Sequence, residues 1–590
     1  MFATRRVFAI ALSALFSLTA TAADDWIARS NEDAQPLLKV LGEFGPEFAS
    51  QLGMKGYDDR IQQQPLDVNE RFRAAMTEAR KGLEAKLAQE KDPQVRQDLQ
   101  IMIEAATQQI DSSLVNEKYL LPYINVGQTI FGGEFGLLQD QVDAKRRPSA
   151  LVRLKRYTGI DKAYTPLIAQ AKAEFEKSMA DKNLLGPYKL QVEQDLSNTE
   201  SYISGIRKLY AKYKIGGADE ALNALEAQLK DYDAWIRSTV MPRARDDFRL
   251  PPEVYADNLK NVGLDIPPDA LIAKAELAYA EIRNEMRAIA PLVAKQHNLT
   301  VTDYRDVIRA LKKDSIARDN VEPTYQKLIG QIEEIIKREH IVSLPERAMM
   351  MRVASEAETA AQPAPHMDPP PLIGNKGERG TFVLTMGNPS TSGKTAETYD
   401  DFNHEAGTWT LTAHEGRPGH ELQFSAMVER GVSLARSVFA FNSVNVEGWA
   451  LYSEAEMKPF EPLDGQLFAL QARLQRAARA ILDPMLNLGL ITRERAHDVM
   501  TDDVGLSEAL TREELDRFTF RMPGQATAYF YGYIRLLELR AHVELAQGKA
   551  FNLKALNDFM LAQGVLPPDQ LAEAVTTQFL NLPAAQKKAP

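Results

Sequence analysis

The chain has 590 residues, 44% hydrophobic and 26% charged, with 33 Gly and 31 Pro, an ordinary globular composition that excludes a disordered, collagen-like or membrane-spanning protein. Cysteine is absent, which removes disulfides, thiolate metal sites and cysteine nucleophiles and leaves His, Asp and Glu as the only side chains able to hold a metal. The formal charge of −11 comes without a basic stripe and argues against nucleic acid as a partner, because phosphate contact needs concentrated positive charge.

Residues 1–22 read as an export signal. Arg5-Arg6 precede the apolar run 7–18, and Ala20-Thr21-Ala22 offers small residues for cleavage. The run falls short of the roughly 20 residues that cross a bilayer, and no second candidate follows. Thr4-Arg5-Arg6-Val7-Phe8 also resembles the start of a twin-arginine signal, a second export route. The expected location is periplasmic or secreted, with no membrane attachment after cleavage.

From residue 24 to about residue 241 consecutive amphipathic helices are predicted. Residues 70–89 carry Phe72, Met76, Ala79 and Leu83 at helical spacing, Asp92-Pro93 interrupts, and residues 95–110 resume with Leu99, Met102, Ile103 and Ala106, which predicts a helical hairpin. Further helices are expected over 165–180, 190–214, 219–240, 269–290 and 320–339, with breaks at Gly186-Pro187 and Gly216-Gly217. The Pro- and Gly-rich stretch 361–380 cannot be regular helix. It leads into Gly380-Thr381-Phe382-Val383-Leu384-Thr385-Met386, whose β-branched and aromatic residues predict a short strand. From Tyr399 onward the pattern returns to helix. The expectation is a mainly α fold with a small β element. Its parts are a signal at 1–22, an N-terminal helical lobe at 23–250 and a catalytic helical lobe at 251–590, the two lobes forming one unit.

The most unusual segment is Leu411-Thr412-Ala413-His414-Glu415-Gly416-Arg417-Pro418-Gly419-His420-Glu421. Two histidines with a glutamate after the first suit a zinc hydrolase, the imidazoles serving as neutral ligands and the carboxylate taking a proton from water. In the usual His-Glu-x-x-His spacing both imidazoles share one helix face, about 40° apart. Here the second histidine is six residues on, about 240° round an ideal helix, so a straight helix cannot make the site. Pro418-Gly419 supplies the break or bulge that turns His420 back toward His414. Two unrelated surface histidines are the alternative.

A second block, Val446-Glu447-Gly448-Trp449-Ala450-Leu451-Tyr452-Ser453-Glu454, opens another amphipathic helix on which Glu447 and Glu454 share a face. Glu447 is either a third ligand, with Glu454 orienting a ligand histidine, or a helix-capping residue beside a solvated Glu454. A third block, from Arg521-Met522-Pro523-Gly524-Gln525-Ala526 to Tyr529, Gly532 and Tyr533, predicts a helix with both tyrosines on one face and Gly532 where backbones approach closely. Such tyrosines are either core or, facing a polarised carbonyl, donors to a developing oxyanion.

These three ordered blocks resemble the signature blocks of the bacterial domain-of-unknown-function 885 family, and the similarity extends from Leu250-Pro251-Pro252-Glu253-Val254-Tyr255 to Gly564-Val565-Leu566-Pro567. That family is similar to helical zinc metallopeptidases of the thimet-oligopeptidase and angiotensin-converting-enzyme type, with a deep cleft between two helical lobes. The resemblance implies that His414, His420 and Glu447 bind one Zn2+, that Glu415 is the general base and that Tyr529 donates to the oxyanion. Two positions depart from the family pattern: Glu421 and Asn557 stand where histidines are common.

The function expected from this reading is an exported zinc peptidase acting on unstructured peptides. A non-catalytic exported binding protein with a structural or vestigial metal, and a zinc hydrolase of another amide or ester, are the alternatives. His, His and Glu would also accept manganese or cobalt. The motifs leave exo- or endo-cleavage and oligomeric state open. The strand 382–385 is a candidate for pairing with an extended substrate, and Arg417, Arg521 and Arg535 are candidates for gripping a terminal carboxylate. His404-Glu405 has no partner histidine and suits a supporting or surface role. Ser392-Gly393-Lys394-Thr395 has no phosphate-loop glycine upstream, so nucleotide binding is not expected.

Overall fold

The computed structural model describes residues 26–388 and 397–580. The expected export signal and the Ser392-Thr395 segment lie outside the described residues. The protein is mainly helical with a small sheet.

α1 (Val68–Leu87) and α2 (Pro93–Tyr119) form the expected hairpin. Asp92 caps α2 by accepting from the Gln94 N–H, and Pro93 fills the first helical position, where no donor is needed. Met76, Ala79 and Leu83 of α1 pack with Val95, Leu99, Met102 and Ala106 of α2. The second helix runs nine residues past the predicted end because its polar second half has a partner: Gln108 and Ser112 donate to the carboxylate of Asp257. α3 (Lys189–Lys212) and α4 (Asp219–Trp235) flank Gly216-Gly217, with Gly217 at φ 74°. Tyr202 of α3 and Leu225 and Tyr232 of α4 share a core with Phe131.

α5 (Pro268–Gln296) and α6 (Arg318–Arg338) follow, close to the predicted ranges. The sheet then takes three strands, β1 (Met350–Val353), β2 (His366–Asp368) and β3 (Thr381–Leu384), in the order β1-β3-β2. β3 is parallel to β1 and antiparallel to β2, with Met367 opposite Phe382. The predicted strand is therefore the buried central one, and both of its edges are occupied. That overturns its candidacy for pairing with a substrate.

The helices that carry or adjoin the site are α7 (Glu405–Glu415), α8 (His420–Arg430), α9 (Ser443–Met457), α10 (Leu463–Asn487), α11 (Glu508–Asp516) and α12 (Thr527–Gln547). α10 lies along α5 in the largest apolar cluster. α9 is not amphipathic as expected. It is buried on nearly every side, because α7, α8, α10 and α12 all pack against it. At its crossing with α12 the backbones meet: a Cβ on Gly532 would lie 1.9 Å from the Val444 carbonyl oxygen, and one on Gly448 2.6 Å from Gly532 Cα. Only glycine allows this approach, as expected at Gly532.

Candidate metal centre

α7 and α8 are one helical path interrupted between Gly416 and Gly419. A Cβ on Gly419 would lie 1.9 Å from the His414 carbonyl oxygen, and one on Gly416 2.7 Å from that of Thr412, so the chain doubles back this tightly only with glycine at both places. Trp449 of α9 pins the break by donating to the Pro418 carbonyl at 2.9 Å. The result brings the His414 and His420 rings to 4.8 Å between centroids, nearly perpendicular at 83°.

α9 delivers Glu447 to the same point. Its Oε2 lies 3.5 Å from His414 Nε2 and 3.3 Å from His420 Nε2, and the three ligand atoms lie within 4.8 Å of one another. Its Oε1 accepts from Gln525 Nε2 at 3.3 Å, whereas the buried Oε2 accepts no hydrogen bond from the described residues. Ligand atoms around a tetrahedral ion at about 2.0–2.1 Å stand about 3.3–3.4 Å apart. A buried carboxylate oxygen without a donor, beside two imidazoles at that spacing, is a donor set that fits a divalent metal. Burial works to raise the Glu447 carboxyl, whereas the two imidazoles, when protonated, hold it well below the ordinary range.

Behind the histidine stands Glu454. Its Oε1 lies 2.6 Å from His414 Nδ1 and 3.3 Å from Arg476, and its Oε2 accepts from Thr410 Oγ1 at 2.8 Å. A carboxylate at Nδ1 places the proton there, leaving the Nε2 lone pair directed at Glu447 and His420. Burial opposes ionisation of Glu454, but Arg476, His414 and Thr410 hold its carboxyl below the usual value. The capping-and-solvated alternative for these two glutamates fails, since Asn442 caps α9 and Glu454 is buried. His420 Nδ1 is buried without a hydrogen-bond partner among the described residues.

Glu415 ends α7, 4.0 Å from His414 Nε2. Burial pushes its carboxyl up to about 8, with His420 pulling it down and Glu447 adding to the rise. Tyr529, in the first turn of α12, lies along His414 at 6.1 Å and 16°. Its phenol oxygen accepts from Arg517 Nη1 at 2.9 Å, and Arg479 covers its ring at 4.3 Å. A guanidinium can only donate, so the phenol hydrogen remains free for another acceptor. Burial and Glu447 push the phenol's pKa up, and Arg517 and Arg479 offset part of that rise. The start of α12 is itself anchored: Gly524 N–H donates to Asp483 at 2.9 Å, and Tyr255 donates to the same carboxylate at 2.9 Å.

All five predicted site residues border one cavity of about 860 Å³. Other expectations need correction. Arg417 is buried in ion pairs with Glu421 and Glu333, each at 2.7 Å. Arg521 donates to Gln194, and Arg535 to Tyr531 and Asp569. None of the three borders the cavity; Arg517, four residues before Arg521, does. Its signal was its place six residues upstream of Pro523-Gly524, but only packing selects it among neighbouring arginines. His404 is the buried cap of α7, accepting from Gly407 N–H, and burial lowers its pKa to about 4 so that it remains neutral. Glu421 is taken by Arg417 and Ser425, and Asn557 by Tyr452 and Ile341; neither borders the cavity. The edge strand β2 does, through His366 and Met367.

Fold and site together define a mainly helical protein with a candidate metal centre of two imidazoles and a carboxylate. The family model "Bacterial protein of unknown function (DUF885)" matches residues 46–575, and the chain belongs to that family. No curated protein matches the sequence. Two solved structures share the fold, each described as a "putative lipoprotein". The one from Colwellia psychrerythraea has a TM-score of 0.71 at 20% identity, covering 94% of this chain and 99% of that one. The one from Shewanella oneidensis, described further as of unknown function, has a TM-score of 0.66 at 20% identity, covering 92% and 98%. Among the described residues no helix is long and apolar enough to cross a membrane.

Proposed function

We propose that the protein is an exported zinc-dependent peptidase that hydrolyses unstructured peptides. One observation carries this reading: the ligand atoms of His414, His420 and Glu447 converge beside Glu415 on the wall of a cavity. A divalent ion bound there supplies Lewis acidity toward a peptide carbonyl and acidifies a nearby water. The chain's own residues do the rest. Glu454 fixes the tautomer in which His414 can be a ligand. The Glu415 carboxylate takes the proton of the attacking water and passes it to the leaving amine. Tyr529, its oxygen held by Arg517, donates its hydrogen to the carbonyl oxygen as negative charge develops there. β2, at the sheet edge beside the cavity, can pair with an extended substrate backbone in place of β3.

In this reading residues 23–250 and 251–590 act as two lobes of one cleft in the manner of thimet-oligopeptidase-type enzymes. The cavity draws wall residues from both ranges, which supports it. An export signal at residues 1–22 agrees with the lipoprotein description of both structural neighbours. The test is metal analysis combined with peptide digestion. The purified protein should carry about one zinc per chain and cut a mixed peptide library, and Glu415→Gln should keep the metal while losing about 10²–10⁴-fold in rate. Full peptidase activity in that variant would remove Glu415 as the base, and a metal-loaded wild type that cuts no peptide would overturn the reading.

A further inference from the structure

The side chains lining the cavity fall into two unlike groups. Its charged or ionisable side chains are His414, Glu415, His420, Glu447, Arg517 and Tyr529 at the metal centre, together with His366 on β2. The other described side chains lining it are neutral, and most are large and apolar. Arg517 is not free to balance a substrate charge, since it is shared between Tyr529 and Glu513.

The apolar group is assembled from separated stretches of chain. Phe44 ends the helix Gln35–Phe44, Phe48 lies in the short helix Pro46–Gln51, Phe72 comes from α1, Phe439 and Phe441 from the stretch before α9, and Met522 from the turn before α12. Phe44 and Phe72 pack edge to face at 5.4 Å. Phe48, Phe441 and Met522 are 52%, 55% and 52% exposed, although all three border the same cavity. A soluble protein rarely gathers large exposed apolar groups around one opening unless something apolar enters it. The wall is also pinned in place. Arg436, on the Ala435–Phe439 segment, is paired with Asp98 of α2 at 2.7 Å, and Ser30 and Ser433 donate to the same carboxylate at 2.6 Å.

We propose that this collar, Phe44, Phe48, Phe72, Phe439, Phe441 and Met522, makes the site select peptides with a bulky apolar side chain beside the bond to be cut. The inference rests on the peptidase reading of the metal centre. An apolar side chain entering the collar leaves water for a matching surface. A carboxylate or ammonium entering it loses water and meets no counter-charge.

The experiment uses pairs of terminally blocked peptides that differ only in carrying Phe or Glu at one central position. Binding is measured by calorimetry to the metal-loaded Glu415→Gln protein, and again to chelator-treated wild type so that the result does not depend on one variant. The Phe peptides should bind at least about tenfold more tightly. Phe441→Lys and Phe48→Lys, both at exposed positions, should shrink that ratio severalfold by offering the Glu peptides a partner. Equal affinity within each pair, or a ratio unchanged in both lysine variants, overturns the proposal. Digestion of the same pairs by wild-type protein separates the two claims: Phe peptides that bind selectively but remain uncut leave the collar's selectivity standing and overturn the peptidase reading.

Discussion

At the metal centre most polar groups are held by a named partner. Glu454 has His414, Thr410 and Arg476, Glu447 has two imidazoles and Gln525, and Tyr529 lies between Arg517 and Arg479. In the apolar lining Phe44, Phe72 and Phe439 touch mainly other apolar groups, and Phe48, Phe441 and Met522 face water. The first wall depends on the position of individual atoms, because burying a charge is costly unless its partner is in the right place. The second depends on area, which declines gradually when a methylene is lost. Substitutions on the two walls should therefore differ in the size of their effects and also in which quantity they change.

The sharpest break should come from Glu447→Ala. It removes the one carboxylate ligand, so metal content measured by mass spectrometry should fall from about one per chain to near zero and peptide cleavage should vanish. Metal content equal to wild type would remove Glu447 from the ligand set. Glu415→Gln comes next, with metal kept and the rate lost as described above. Tyr529→Phe keeps the ring stacked beside His414 but removes the hydrogen-bond donor. We expect kcat to drop about 10²-fold with KM little changed, and a change confined to KM would assign Tyr529 to binding alone. Glu454→Gln should weaken metal affinity about 10–100-fold, measured by competition with a chelator, because an amide no longer stabilises the Nδ1–H tautomer of His414 as a carboxylate does. The smallest effect belongs to the apolar wall: Phe441→Ala should raise KM for apolar peptides a few-fold with kcat and metal content unchanged. A loss of metal in that variant would show that the two walls are not independent.

Much of the site was legible because the motifs contain their own geometric argument. The six-residue spacing of His414 and His420 requires a broken helix, and Gly416 and Gly419 are the residues that let the chain double back. The apolar spacing around Asp92-Pro93 placed the α1–α2 hairpin, and Gly532 marked a close crossing before its partner Gly448 was known to meet it. Three features were not legible. β2 hides in a proline-rich stretch whose three strand residues carry no alternation of their own. Among Arg417, Arg517, Arg521 and Arg535, local sequence does not indicate which one reaches the cavity. α9 looked amphipathic, but four helices cover it, and no periodicity within one segment records how many neighbours it has.

The sequence by itself determined the donor chemistry: without cysteine, a metal centre must be built from imidazole and carboxylate, and one pair of histidines stood in a plausible constellation. It also determined family membership and the helical class, since these reside in local spacing and ordered blocks. Tertiary structure alone decided which arginine holds the tyrosine and which aromatic side chains line the cavity. Those are relations between residues far apart in the chain, including the separation between Phe48 and Phe441, and they are set by packing rather than by neighbours in sequence.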